Sequence, residues 1–391
     1  MVVDGINTVE DLDFKGKKVF LRVDYNVPLG KDGSVLDDYR IKMSIPTIKK
    51  LFSKGAEQII VASHLGRPKE KESVFRMNRV ADRLARLTGR SVEKVDDCVD
   101  LEDLMPSPDE ARIVVLENLR FHEGEKNNDE GFAKELAGLA DVYVNDAFAV
   151  CHRKHSSVHA ITKFLPGCVG LLVEKELGVF RKALEEPEKP FKAVLGGAKL
   201  ETKIPLIKTL LEKVDSLLLG GGMIFTFYKA RGLGIGKSLV DKEYVEMARM
   251  LGNNEKIVLP EDIVIADDKD NPRHVLNVTV DKIPSYMYGL DIGKKSVEKF
   301  REELQDARMV VWNGPLGYYE NERFAEATNE VLRFLSDRED VKVIIGGGDS
   351  VAIVENLGLR DKFFHVSTGG GASMSLMEGK ELPAVEALRQ T

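Results

Sequence analysis

Twice within residues 342–373 an apolar run of strand length stops at three glycines in a row. K-V-I-I runs into Gly346-Gly347-Gly348, and F-F-H-V-S-T runs into Gly369-Gly370-Gly371, each followed by a helix-like pattern. A strand that ends in a glycine turn and opens a helix leaves backbone N–H groups bare at the positive end of the helix dipole. With no Cβ in the way, a phosphate can approach them closely. Asp349 follows the first triplet, where a carboxylate could hold a metal bridging a nucleotide's phosphates. Tight turns also use glycine without binding anything. The repetition, more than either triplet, carries the signal.

The rest of the chain repeats the same strand-then-helix rhythm. Lys18–Asp24 reads as a buried strand, and apolar residues at Ile41, Ile45, Ile48 and Phe52 mark a helix face closed by Gly55. Gln58–Ser63 is a strand, and Met77, Val80, Leu84 and Leu87 form a second helix face ending at Gly89. Strands Arg112–Leu116 and Asp141–Val144 follow, with a helix over Gly131–Leu139 between them. Such alternation predicts parallel sheets covered by helices on both faces. Gly167–Lys182 reads as a helix, and the charged, proline-broken Glu185–Pro190 divides the chain into halves.

In sheets of this kind ligands sit beyond the carboxyl ends of the strands. In the first half those ends hold Arg22-Asp24-Asn26, His64-Arg67, Arg120 and His152-Arg153-Lys154-His155. Several arginines brought to one rim suit a small phosphate- or carboxylate-bearing anion, because the guanidinium fork pairs two oxygens at once. The alternative is that each arginine is merely solvated or paired with an acid. In the second half, strands Lys192–Leu195, Ser216–Leu219, Lys256–Leu259 and Met309–Trp312 are predicted. They end in Gly196-Gly197-Ala198-Lys199, Gly220-Gly221-Gly222, Pro260 and Asn313-Gly314-Pro315-Leu316-Gly317. Of 34 glycines, 23 follow Cys168, so one half offers arginines and the other bare backbone. An anionic metabolite facing a nucleotide is the expectation.

At 391 residues with 43% apolar and 31% charged residues, the chain has the composition of a globular protein of two or three domains. A net charge of −7 and a pI near 5.7 argue against nucleic-acid and membrane partners. Three cysteines without C-x-x-C spacing fit a reducing compartment, and the acidic N-terminus has no signal-peptide pattern. No apolar run reaches membrane-spanning length, so a cytoplasmic location and a monomer are expected. R-G-L-G-I-G-K-S (231–238) imitates a P-loop, yet it lacks the first glycine and follows a helical stretch. His122, His159, His274 and His365 have no metal-ligand spacing, and no G-x-S-x-G nucleophile motif occurs.

Read in order, these strand ends resemble the phosphoglycerate kinases over almost the whole chain. The resemblance rests on R-V-D-Y-N-V-P-L (22–29), D-Y-R-I (38–41), S-H-L-G-R-P (63–68), L-E-N-L-R-F (116–121), V-N-D-A-F (144–148) and H-R-K-H-S-S (152–157). It continues through L-G-G-A-K (195–199), G-G-G-M (220–223), G-L-D-I-G (289–293), V-V-W-N-G-P-L-G (310–317), G-G-G-D-S (346–350) and T-G-G-G-A-S (368–373). L-E-T-K (200–203), A-V-C (149–151), L-P-E-D (259–262) and M-Y-G (287–289) depart from the family's commoner residues.

The resemblance implies an α/β fold of two doubly wound, Rossmann-like parallel-sheet domains facing a central cleft that closes by a hinge. Residues 1–168 would bind 3-phosphoglycerate or 1,3-bisphosphoglycerate, 169–190 would be the interdomain helix and hinge, and 191–377 would bind nucleotide. Residues 378–391 would return to the first domain. The substrate site would comprise Asp24, Asn26, Arg40, His64, Arg67, Arg120 and Arg153. Arg67, Arg120 and Arg153 would take the 3-phosphate, Asp24 and Asn26 the hydroxyl and carboxylate end, and Arg40 the transferring phosphoryl group. The ATP or ADP site would comprise Lys199 and Lys203 at the phosphates and Gly197, Gly220, Gly221, Pro315 and Tyr318 around adenine. Glu320 would bond the ribose, and Gly347, Gly348, Asp349 and Ser350 would complete the site, with Asp349 on Mg²⁺. Arg40, Lys199, Gly369, Gly370 and Gly371 would share the charge that develops during transfer. The rivals are an ATP-dependent kinase of another acidic metabolite and a nucleotide-binding regulator without turnover.

Overall fold

The computed structural model describes residues 5–101 and 104–389. The acidic start of the chain and the last two residues of the terminal segment lie outside the described residues. The chain divides into two compact units: residues up to Val179 together with those from Glu381 onward, and Phe180–Lys380.

The first unit is built on strands β1 (Lys18–Val23), β2 (Gln58–Ala62), β3 (Val92–Lys94), β4 (Ile113–Val115), β5 (Val142–Asp146) and β6 (Gly167–Val169). They form one parallel sheet in the order β3-β4-β2-β1-β5-β6. Helices cover it, so the central strands are buried on both faces and read as near-continuous V/I/L runs. Val19, Leu21, Ile59, Val61, Ile113 and Val144 are wholly buried in this core. The helix Asn78–Thr88 stops at Gly89, whose φ of +65° only glycine adopts freely. Residues from Glu381 complete the unit. The Ala384 amide donates to the Cys151 carbonyl at 3.1 Å, and Arg389 bridges Ile6.

The second unit carries β7 (Phe191–Leu195), β8 (Ser216–Leu219), β9 (Ile257–Val258), β10 (Asp262–Ala266), β11 (Val275–Thr279), β12 (Tyr288–Ile292), β13 (Met309–Asn313), β14 (Lys342–Gly346) and β15 (His365–Val366). Six of these make a second parallel sheet, β15-β14-β13-β7-β8-β9. A separate antiparallel sheet, β11-β10-β12, is an addition that the periodicity did not reveal. Its strand β11 is mostly exposed, so no buried face imposed a readable alternation. Among the described residues, no helix is long and apolar enough to cross a membrane.

Two boundaries differ from the sequence reading. Gly167–Val169 is a strand paired with β5, and the helix runs over Leu171–Glu185. Asp146, at the end of β5, makes the difference: its Oδ1 accepts from the Leu172 amide at 2.9 Å and so caps the helix start. The division between units falls inside this continuous helix, between Val179 and Phe180, a position within the interdomain segment 169–190. Glu378–Lys380 also stay with the second unit, where Thr209 Oγ1 donates to the Glu378 carbonyl at 3.2 Å.

Asp146 is fully buried, and burial pushes its carboxyl up to about 6, against the partial opposition of the Thr47 hydroxyl and the Leu172 and Val173 amides. A carboxyl raised above its unfolded value contributes stability that is present below the unfolded pKa and lost as pH rises through the folded one. Between about pH 4 and pH 6 this group should therefore cost the wild type up to about 3 kcal/mol that Asp146→Asn does not lose. Urea denaturation of both proteins across that range checks this. Parallel pH dependence would remove Asp146 as the titrating group.

Candidate active site

In the first unit the polar residues converge because each lies just past the carboxyl end of a strand. Asp24 follows β1, His64 follows β2, Arg120 lies in the short turn Leu119–Phe121 after β4, and Arg153 follows β5. Arg40 comes from the first turn of the helix Tyr39–Ser53 and forms an ion pair with Asp24. The Asp24 carboxylate also accepts from the Asn26 amide at 3.0 Å and stands 3.9 Å from His64 Nδ1. Asn26 Oδ1 accepts from the Gly66 amide at 2.7 Å, and Arg120 Nη1 donates to the Gly66 carbonyl at 2.6 Å. Asp24, Asn26, Arg40, His64 and Arg120 thus belong to one connected network. Arg153 donates to His152 Nε2 at 3.1 Å and lies within electrostatic reach of Arg120. Arg67 is the outlier: it is exposed on the loop next to Gly66, with no ion pair among the described residues.

Electrostatics fix the protonation of this rim. Burial alone would raise the Asp24 carboxyl, but Arg40, the Asn26 amide and Arg22 hold it well below the usual carboxylate range. His64 is pushed well below its ordinary value, first by burial and then by Arg22, Arg120 and Arg40, despite the opposing pull of Asp24. It is therefore a neutral imidazole at physiological pH. Arg120 is lowered to about 10 by burial and by the Arg22 and Arg153 charges, and remains cationic.

Arg22, read from the sequence as one of the rim arginines at a strand end, lies instead inside β1 in a layer beneath the rim, whose other members the sequence reading left unassigned. Arg22 is wholly buried, 3.6 Å from the equally buried Glu125, and its Nε donates to Ser157 Oγ at 2.8 Å. Glu125 accepts from the Ser157 hydroxyl at 2.7 Å and amide at 3.0 Å. An arginine inside the apolar run K-V-F-L-R-V was the available signal, since a charge there demands a buried partner. Above this layer, Arg120 Nε and His155 Nδ1 are buried polar atoms with no hydrogen-bond partner. Arg120 Nε can only donate and so calls for an acceptor from outside the chain, whereas His155 Nδ1 stands 3.8 Å from the Glu125 carboxylate.

In the second unit a cavity of about 360 Å³ opens beyond β7, β8, β12 and β13. Of the nucleotide candidates, Gly197, Gly221, Pro315, Tyr318, Glu320 and Asp349 line it. Gly221 has φ +71°, and a Cβ on it would lie 2.5 Å from the Gly197 carbonyl oxygen. The floor closes only if residue 221 lacks a side chain, while Gly197 is favoured by its own φ of +133°. Gly220 stands behind the wall, its amide on the Leu195 carbonyl at 2.8 Å. Ser350 is also turned away: it is buried and accepts from the Gly314 amide at 2.6 Å.

Lys203 is buried, with its ammonium on Asn313 Oδ1, whose amide nitrogen in turn donates to the Gly346 carbonyl at 3.0 Å. Burial lowers its pKa, while Asp349 and Glu378 pull it up. Lys199 is exposed. The two glycine triplets adjoin, since a Cβ on Gly370 would sit 3.0 Å from the Gly348 nitrogen. Gly347 and Gly369 are the N-caps of the helices Gly348–Asn356 and Gly370–Met377.

Further pocket residues escaped the sequence reading, Phe225, Leu239, Lys237 and Asp291 among them. Phe225 and Leu239 supply apolar wall, and Lys237, from the false P-loop, lies 5.5 Å over the Tyr288 ring. Asp291 is pushed up to about 8 by burial and by Glu326 and Glu330, although the Ala327 and Ile292 amides oppose this. It is therefore largely a neutral acid at pH 7.

Asp349 fits a hard cation. Its carboxylate is exposed at the mouth of the cavity, beside the first helix start, and has no ion pair among the described residues. Oxygen donors of this kind, one carboxylate with phosphates and water, suit Mg²⁺.

Comparison with known proteins accords with this geometry. The family model described as phosphoglycerate kinase matches residues 9–380. The phosphoglycerate kinase of Trichodesmium erythraeum is 47% identical over 99% of both chains, and that of Thermosynechococcus vestitus 48% identical over 96% of both. The solved structure of phosphoglycerate kinase from Coxiella burnetii superposes with a TM-score of 0.86 at 35% identity, covering 98% of each chain. That from Pyrococcus horikoshii gives 0.81 at 32% identity, covering 97% of each. With two parallel-sheet units, an arginine rim and a glycine-floored pocket, the chain belongs to the phosphoglycerate kinase family.

Proposed function

We propose that the chain carries out the phosphoglycerate kinase reaction with the residues of these two sites. It transfers a phosphoryl group directly and reversibly between the acyl phosphate of 1,3-bisphosphoglycerate and ADP, giving 3-phosphoglycerate and ATP. The reading of the residues rests above all on the network around Asp24 and Arg120, which gathers cations and an unpartnered donor at the strand ends of an acidic protein.

Each group has a task set by its charge. Arg120 and Arg153, with Arg67 from the loop, bind the 3-phosphate. Asp24 is ionised and accepts the substrate hydroxyl. Asn26 and neutral His64 bond the carboxylate end without adding charge. Arg40 turns its fork to the moving phosphoryl group. In the second unit the flat apolar cavity takes the base, Glu320 the ribose, and Lys199 with Lys203 the phosphates. The amides at Gly347–Gly348 and Gly370–Gly371 add fixed positive ends aimed at anionic oxygens, whereas that of Gly369 already donates to Ser367 Oγ at 3.2 Å. Mg²⁺, held by Asp349, would supply charge neutralisation at the nucleotide phosphates.

Phosphoryl transfer needs little covalent help from the protein. It requires in-line placement, exclusion of water and positive charge over the equatorial oxygens. A carboxylate nucleophile carries no proton to remove, so no general base is needed. Arg40, Lys199 and the Gly370 and Gly371 amides therefore carry the catalytic load through electrostatics, with Gly369 as the N-cap that opens their helix.

Arg40→Ala should lower kcat by about a hundredfold or more, with a smaller change in KM for 3-phosphoglycerate. Steady-state kinetics decide this, and an unchanged kcat would remove Arg40 from the transferring group. In an assay coupled to glyceraldehyde-3-phosphate dehydrogenase, Mg-ATP and 3-phosphoglycerate should consume NADH in a magnesium-dependent way. Asp349→Ala should abolish most of that turnover, and full activity in the variant would place the metal elsewhere.

A further inference from the structure

We propose a second metal site, unrelated to Asp349, for one borderline divalent cation of the Zn²⁺ class, held by Asp97, Cys98 and His122. Asp97 and Cys98 are neighbours in sequence and His122 is distant from them, but parallel pairing of β3 with β4 brings the three together. Asp97 and Cys98 follow the carboxyl end of β3, and His122 follows the turn after β4. This is the edge at which open parallel sheets bind ligands.

The donor atoms, one oxygen, one sulfur and one nitrogen, all lie within 4.8 Å of one another. Tetrahedral ligands at ordinary zinc bond lengths stand about 3.3–3.6 Å apart, so the cluster needs only a small adjustment. Asp97 Oδ1 and His122 Nε2 already face each other at 2.6 Å, and an ion would replace that hydrogen bond. The groups are held from behind, as metal ligands usually are. The His122 ring stacks on Phe132 with centroids 5.1 Å apart, which fixes the direction of Nε2. Asp97 Oδ2 accepts from Lys71 at 2.8 Å, and Oδ1 accepts from the Cys98 amide at 2.8 Å, so the Oδ1 lone pair now facing His122 is the one an ion would take.

Cys98 is buried, while the Asp97 and His122 side chains are 32% and 21% exposed, so an ion enters from solvent and meets the sulfur at the bottom. Glu117 is not a fourth ligand, because its carboxylate is taken by Lys94 at 2.6 Å and by the Met77 amide at 2.9 Å. Three protein ligands leave the fourth position to water. The mixed O, N and S set selects zinc-like ions over Mg²⁺, which requires oxygen ligands. Binding converts the Cys98 thiol, now donating to the Glu117 carbonyl at 2.9 Å, to a thiolate and releases its proton to solvent. An ion there would also tie the loop after β3 to the turn that carries Arg120.

The test is a titration of the full chain with Co²⁺ in a thiol-free reducing buffer. The expected result is a thiolate-to-cobalt charge-transfer band with the strong visible bands of tetrahedral cobalt, saturating at one equivalent and removed by Zn²⁺. Cys98→Ser should lose the charge-transfer band, and His122→Gln should weaken binding at least tenfold. Absence of the band in the wild type overturns the site without reference to any variant. So does its persistence in Cys98→Ser, which would assign the thiolate to Cys151 or Cys168.

Discussion

A parallel strand buried on both faces can present a charge only beyond its end, and this restriction arranges the chemistry of the whole chain. The central strands of both sheets are apolar, so polar residues collect at the carboxyl ends, where the turns leave the layer. Arg22 is the instructive exception. Because it lies within β1, it has no water to solvate it, and its donors are met by Ser157, the Val23 carbonyl and His64 Nδ1 with the Glu125 carboxylate 3.6 Å away. Removing Glu125 would leave a buried unpaired cation, which costs more than the pair itself contributes. The rim arginines avoid that requirement because they lie past the strand ends.

The same geometry explains how a protein with a net charge of −7 concentrates positive charge. Arg120 is crowded by Arg22 and Arg153, which press its pKa down without discharging it. Like charges held close store an unfavourable interaction that an incoming dianion relieves. Neutral His64 completes the arrangement: a protonated imidazole would add to the repulsion, whereas a neutral one can still hydrogen-bond. Asp24 remains ionised because the cations around it outweigh the cost of its burial.

Much of this was legible in the sequence, for a physical reason. Glycines at strand ends and arginines after strands are local features, and a strand followed by its turn occupies consecutive residues. The alternation of runs therefore predicted parallel sheets, and Asp24, His64 and Arg120 could be named from the strand ends, whereas Arg40, in the first turn of a helix, was named only through the family resemblance. What could not be read depends on packing between distant segments. Asp146 decides where the helix Leu171–Glu185 begins, but only through its contact with Leu172, 26 residues away. Ser350 stands in a glycine-rich motif yet serves Gly314. The exposed strand β11 had no buried face to pattern it, and Glu125 gave no sign of its burial in an acidic, helical stretch.

The paired glycine triplets show why repetition was informative where a single copy was not. One helix start offers a few bare amides and a fraction of a unit charge, which many turns provide with no ligand at all. Here the Gly348 and Gly370 backbones touch, so two helix starts converge. Their dipoles then act on the same region, beside a lysine that is buried and anchored to Asn313. Asn313 in turn holds the Gly346 carbonyl, so the lysine and the first triplet are positioned by one side chain. Preorganised charge of this kind acts on a phosphoryl group without the reorganisation that water would require. The glycines are therefore needed less for flexibility than for proximity, since a Cβ on Gly370 would force the two helix starts apart.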